Sequence, residues 1–151
     1  MASRRPPKPG FQEASAPFTP DKLTLEQKLK LNRDVLAAYD YTCAATGAQF
    51  NAETAVSANL VVIPIQPVET GGRLIPANML PLTPAVAEAF RDGDFSIGVD
   101  LEIIVDLSRI EPEMLRQLQR SGLRQPGSRE FRPDVQSLHY HRTMIFQAVG
   151  G

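Results

Sequence analysis

The sequence is poorest in the residues that most often carry chemistry. It has one cysteine, two histidines and no tryptophan. A lone Cys43 excludes an internal disulfide and any multi-cysteine zinc site, and it suits a reducing compartment. No apolar run approaches the ~20 residues that a membrane-spanning helix needs. The basic start "MASRRPPKPG" is followed by no apolar stretch, so it does not read as a secretory signal. The expected location is the cytoplasm. An excess of either charge is also missing: 16 Lys and Arg against 17 Asp and Glu leave a formal net charge of −1. The whole-molecule field therefore does not attract nucleic acid, and any such binding needs a local basic patch. There is no Walker-type glycine loop and no dinucleotide-binding fingerprint.

What is present suits one folded domain. The chain has 151 residues, 42% hydrophobic and 22% charged, enough for an ordinary core. Residues 1–22 stand apart. Pro6, Pro7, Pro9, Pro17 and Pro20 punctuate a stretch poor in apolar side chains, which predicts an extended, mobile arm. Arg4, Arg5 and Lys8 give it a small basic cluster. That cluster reads either as a solvated tail or as an arm that touches phosphate or a partner's acidic face. Residues 23–149 are expected to form the domain.

Thr24 and Gln27 have the form of a capping box. Leu25, Leu29, Asn32, Leu36 and Tyr39 then follow helical spacing, with Val35 on the same side, and predict a helix ending near Asp40. Tyr39 to Asn51 reads as two short extended pieces around a Thr46–Gly47 turn. Ala58 to Ile65, "ANLVVIPI", is the best strand in the chain, with Pro64 marking its end. A loop with Gly71–Gly72 as its flexible point leads to Asn78 and a short apolar piece. A helix should start at Pro84, capped by Thr83, and stop at Gly93. "FSIG" and "LEIIVD" predict a hairpin across Gly98, Val99 and Asp100. A third helix carries Met114, Leu115 and Leu118 inward. A loop holding Arg120, Arg124, Arg129 and Arg132 follows, and a last helix runs from about Asp134 to Gln147.

Several of these pieces fall in a familiar order. "YDYTCAATG" resembles the opening of a restriction-endonuclease-like branch of HNH-type endonuclease domains, where an aromatic residue precedes a Cys-Ala-x-Thr-Gly turn. "LVVIPI" sits where that branch reads Ala-His-Ile-x-Pro. "NMLPLTPAVAEAFRDGDFSI" is similar to its asparagine–apolar–helix stretch, and "LHYHRTMIF" to its C-terminal helix with a histidine-arginine pair. The resemblance runs from about Leu29 to Phe146 and rests on shared order rather than on any one motif. It implies an α+β fold: a small antiparallel sheet with a ββα-metal core, flanked by one N-terminal and two C-terminal helices. It also implies a site in which a strand histidine activates water, an asparagine steadies the loop and a helix histidine binds one divalent cation.

Carried over residue by residue, the resemblance keeps the frame and loses the chemistry. Asn78 matches the asparagine. The strand histidine falls on Val61 or Val62, and the helix histidine on Ala87. The acidic residue after the helical phenylalanine falls on Arg91, with Asp92 one step later. Neither valine nor alanine can take a proton or bind a metal, and loss of a general base alone costs about 10²–10⁴ in rate. His139 and His141 are two apart, so on a helix they diverge and make a poor chelate. His141 matches the family's C-terminal histidine, which more often packs than reacts. Glu69, Glu88, Asp92 and Asp94 are oxygen ligands for Mg²⁺ only if the fold gathers them. Cys43 has no histidine near it in sequence and reads as an inert, buried thiol.

Three functions stay open on these residues. The leading one is a catalytically silent HNH-like protein that binds double-stranded DNA or a protein partner. Its phosphate contacts would be Arg4, Arg5, Lys8, Arg120, Arg124, Arg129 and Arg132. The second is a working nuclease with a displaced site, using Asn78, Asp92 and His141 with Mg²⁺ or Mn²⁺. The third is an assembly module without a nucleic-acid role, docking through its N-terminal arm. No cofactor is expected outside the nuclease reading. A homodimer is compatible with the resemblance, and no residue specifies its interface.

Overall fold

The computed structural model describes residues 23–54 and 59–147. The basic arm, with Arg4, Arg5 and Lys8, lies outside the described residues, as does Ala58 at the start of the expected strand. The first helix, α1, spans Leu25–Ala38. Both halves of its capping box form: the Gln27 amide donates to Thr24 Oγ1 at 3.1 Å, and the Thr24 amide donates to Gln27 Oε1 at 2.8 Å. Only the second half of its apolar stripe is covered. Val35, Leu36 and Tyr39 are buried, whereas Leu25 and Leu29 are 74% and 48% exposed. Periodicity assigns these positions to one face. It cannot show that α1 overhangs the body of the domain at its N-terminal end.

The expected extended pieces around Gly47 reduce to one bridge between Thr42 and Gln49. Gly47 itself has φ +80°, the left-handed turn position that glycine supplies at little cost. The best strand is real but shorter than expected: β1 covers Val61–Pro64. It pairs antiparallel with β2, Met79–Leu82, so that Val62 faces Pro81 and Pro64 faces Met79. The sequence reads Met79–Leu82 only as a short apolar piece, because Pro81 lacks the N–H that a central strand needs. Its carbonyl is still used, accepting from the Ala44 amide at 2.9 Å.

Helix α2, Pro84–Arg91, opens at Thr83, but the Thr83 side chain makes no cap hydrogen bond. Pro at the first position removes one of the orphan donors that a cap would satisfy. Its end is a Schellman motif: the Gly93 amide donates to Phe90 O at 3.2 Å and the Asp94 amide to Ala89 O at 3.0 Å. Gly93 has φ +80°, and a Cβ added there would lie 2.8 Å from the Ile145 carbonyl oxygen. Gly93→Ala should therefore combine left-handed strain with a backbone clash and cost about 2–3 kcal/mol. A thermal melt of that variant should show the drop with the native helical signal retained at low temperature.

The hairpin follows as predicted, with β3 at Phe95–Ile97 and β4 at Ile103–Val105. It does not join β1 and β2. The architecture is α+β with two separate two-stranded antiparallel sheets rather than one small sheet. The break comes from α2, which is inserted between the two strand pairs and packs on both. Helix α3, Pro112–Gln117, buries Leu118 just past its end and half-buries Met114, but leaves Leu115 exposed. With fewer than two full turns, its inward face is too narrow for all three. The last helix starts as α4, Val135–Tyr140, capped by Asp134 through the Ser137 amide, and widens into a π-helical turn over His141–Phe146. The core lies where α1, β2, α2 and β3 meet, around Tyr39, Leu80, Leu82, Phe90 and Phe95.

Candidate functional site

Asn78 ends a 3-10 turn, Pro76–Asn78, and is almost wholly buried. Its side-chain oxygen accepts from the Gln66 amide at 2.9 Å. Its Nδ2 donates to Gln66 O at 3.1 Å and to Arg73 O at 2.8 Å. Its backbone adds Asn78 N–H to Ile75 O and Ile65 N–H to Asn78 O. The side chain thus replaces a missing stretch of sheet, holding the loop after β1 against the start of β2. This is the loop-to-strand role that the sequence allows for an asparagine here. Both donor hydrogens are committed to backbone carbonyls.

The positions at which the sequence resemblance expects histidines sit in different surroundings. Ala87 is fully buried inside the core on α2. Val61 and Val62 are half-buried on β1, and Val62 lines a groove against α1. No side chain that titrates stands at any of the three.

His141 is buried to 1% exposure at the head of the π-helical turn. Its ring stacks flat on Phe90, with centroids 3.7 Å apart and planes 6° off parallel. Nε2 lies 2.7 Å from the Phe90 carbonyl oxygen, and Nδ1 lies 2.6 Å from Ser96 Oγ. A carbonyl can only accept, so Nε2 carries the hydrogen. Nδ1 is then the acceptor for the Ser96 hydroxyl. Burial pushes the imidazole down to about 4, against the opposing pull of its bond to Phe90 O. The ring is neutral near pH 7, and its one lone pair is already engaged. Neither a metal nor a substrate proton has a free nitrogen to meet.

Sequence reasoning missed Ser96, and a signal was present. A serine between Phe95 and Ile97, in a strand buried at all three positions, must find a partner. His139, by contrast, is exposed.

Three of the four acidic residues share one groove. Glu88, Asp92, Asp94 and Glu111 line a 260 Å³ groove beside α2, while Glu69 faces another cavity with Arg91. Asp94 is neutralised by Arg109 at 2.9 Å, whose guanidinium also donates to the Asp92 carbonyl. Among the described residues, no group of three or more His, Cys, Asp or Glu is placed to hold a metal ion. Cys43 is fully buried, as expected of a thiol with no histidine near it in sequence.

The four loop arginines are all exposed, and among the described residues none pairs with a carboxylate. Their loop is pinned along the outer side of β2. Gln119 and Arg124 amides donate to Ala45 and Ala44 carbonyls at 2.9 and 2.8 Å, and the Asp134 amide donates to Ala77 O at 2.8 Å. Arg120 and Arg124 therefore flank the Gly47 turn, and Arg129 and Arg132 lie near the turn that ends in Asn78. Their guanidinium groups stand on backbone fixed at both ends.

Among solved structures, the chain is similar to a modification dependent TagI restriction endonuclease, with a TM-score of 0.58 over 77% of this chain. Sequence identity is 20%, so the likeness concerns fold alone, and the chain spans 37% of that protein's length. No family model matches the chain, and no curated protein matches it. No helix among the described residues is long and apolar enough to cross a membrane.

Proposed function

We propose that this chain is a catalytically silent, HNH-nuclease-like module that binds double-stranded DNA through its arginine loop. The observation that carries the silence is Ala87, sealed in the core where the resemblance calls for a metal-binding histidine. Val61 and Val62 cannot take a proton, and both nitrogens of His141 are spent on Ser96 and Phe90, so neither the strand position nor the C-terminal histidine supplies a general base. The binding half is supported by Arg120, Arg124, Arg129 and Arg132, four exposed cations held on one pinned loop. Such a band contacts phosphate oxygens and fixes orientation without reading sequence. The restriction endonuclease that shares the fold is modification dependent by its description, which makes a nucleic-acid role the natural first test here. It does not make this chain an enzyme.

The test is a gel shift on supercoiled plasmid with and without Mg²⁺ and Mn²⁺, across a salt series. The expected result is a salt-sensitive shift and no nicked or linear product under any condition. Replacing the four arginines by alanine should flatten the log–log salt slope by about 3 to 4, since each phosphate contact contributes roughly 0.9. Metal-dependent nicking by the wild-type chain would overturn the silent reading. An unchanged slope in the quadruple variant would remove the loop from the interface.

A further inference from the structure

The loop after β1 is held more firmly than its sequence suggests. Asn78 fixes Gln66 at both its amide and its carbonyl. From there the chain closes on itself. The Thr70 and Gly72 amides donate to Pro67 O at 3.1 and 3.0 Å, and the Gly71 amide donates to Val68 O at 3.0 Å. Gly71–Gly72, the flexible point in the sequence, is thus part of a tight turn. Gly72 is packed so closely that a Cβ there would lie 1.9 Å from Gln66 O. This turn presents Glu69 to a cavity of about 330 Å³. Pro64, Ile65 and Pro67 line one part of the cavity, and His141 and Ile145, on the π-helical turn, line another. Arg91 completes it from the end of α2.

Two features mark this cavity as a site. The first is unpaired charge of both signs. Glu69 and Arg91 are exposed, and among the described residues neither side chain makes an ion pair or a hydrogen bond, even with the other. The second is construction. One wall is the closed turn after Gln66, and another is a π-helical turn, a form of helix frequent at functional sites. Small-molecule sites share this build: preformed, mostly apolar, about 300 Å³ or more, with a few polar groups that set orientation.

We propose that this cavity binds one unpaired nucleotide with an amino-bearing base, its phosphate on Arg91 and its exocyclic amine on Glu69. A guanidinium takes a phosphate through paired, charge-assisted hydrogen bonds. A carboxylate accepts from the amine of cytosine. The proline and isoleucine walls supply the apolar surface on which a base out of its stack is held. A concave cavity of this size has no room for a duplex, so the occupant is a nucleotide extruded from a strand or at its end. The choice of a nucleotide rests on the DNA-binding reading, whereas the cavity and its unpaired charges do not.

The test is an amide-resolved NMR titration of the full chain with cytidine monophosphate. Saturable shifts should gather on Ile65, Glu69, Arg91 and Ile145. Uridine monophosphate lacks the exocyclic amine and should bind about tenfold more weakly, with inorganic phosphate weaker still. Glu69→Ala should abolish the preference for the cytidine nucleotide. Arg91→Ala should weaken both nucleotides by about tenfold or more. Both variants should melt as the wild type does, since neither side chain has a partner among the described residues. The absence of saturable shifts overturns the proposal, as do shifts centred on the arginine loop or equal affinity for the two nucleotides. The plasmid gel shift separates this site from the reading behind it. A plasmid shift without nucleotide binding removes the site alone, and nucleotide binding without a plasmid shift removes duplex binding alone.

Discussion

Replacing Asn78 by alanine should cost about 3 to 5 kcal/mol of folding stability and loosen residues 66–78 first. The change leaves three backbone groups without the partner they have now: Gln66 N–H, Gln66 O and Arg73 O. Each unsatisfied buried group is worth about 1–3 kcal/mol, less where water can enter beside the exposed Arg73. Truncation also empties a side chain that is 1% exposed. Asn78→Asp should be at least as damaging. It keeps the shape but aims a carboxylate at two carbonyl oxygens that now accept hydrogen bonds, and it moves a charge into a buried position. Urea unfolding of both variants checks the magnitude, and amide exchange of Gln66 and Ile65 shows where loosening begins. The result bears on any search for residual nuclease activity. Lost cleavage in an Asn78 variant would report a collapsed loop as readily as a missing catalytic group, so it would need the stability measurement beside it.

The second large effect is with pH. His141 has its imidazole held down to about 4, from an ordinary value of 6.5, by burial against Phe90. Between those values the unfolded chain binds a proton that the folded chain refuses, so acid favours unfolding. The stability at stake is fully present above about pH 6.5 and is lost as the pH falls toward 4, roughly 3 kcal/mol in all. His141→Gln should flatten the pH dependence of stability in that window while lowering stability at every pH. The other histidine, His139, sits on the exposed face and leaves the variant with a solvent-accessible ring as internal comparison. Denaturant midpoints at about pH 7, 6, 5 and 4.5, for both proteins, decide the point. Parallel curves would mean that carboxylates elsewhere carry the acid sensitivity.

Local signals in the sequence translate well into structure. Thr24 with Gln27 and the glycine at 93 each specify a helix end by a short-range hydrogen-bond pattern, and both patterns form. The β3–β4 hairpin is equally local. The features that sequence reasoning misses need distant partners. Leu25 and Leu29 read as core because periodicity reports a face and not what covers it. Met79–Leu82 does not read as a strand because its support comes from β1 and from Ala44, remote in sequence. The division into two sheets depends on where α2 settles, which no single segment encodes. The candidate site shows the same divide. The positions at which the resemblance expects histidines are legible in the sequence as Val61, Val62 and Ala87. The closed shell of Ser96 and Phe90 around His141 spans 45 and 51 residues of chain and emerges only from the fold.

Cys43 has its own consequence. Its thiol is fully buried in the segment that closes the Gly47 turn, and the arginine loop grips that segment through Ala44 and Ala45. A thiol reagent can reach it only when the structure around that segment opens. Labelling of the native chain therefore proceeds as a clock: its rate counts openings that expose a residue next to the two carbonyls held by the arginine loop. A molecule that clamps the arginine loop would slow that clock without ever touching the sulfur.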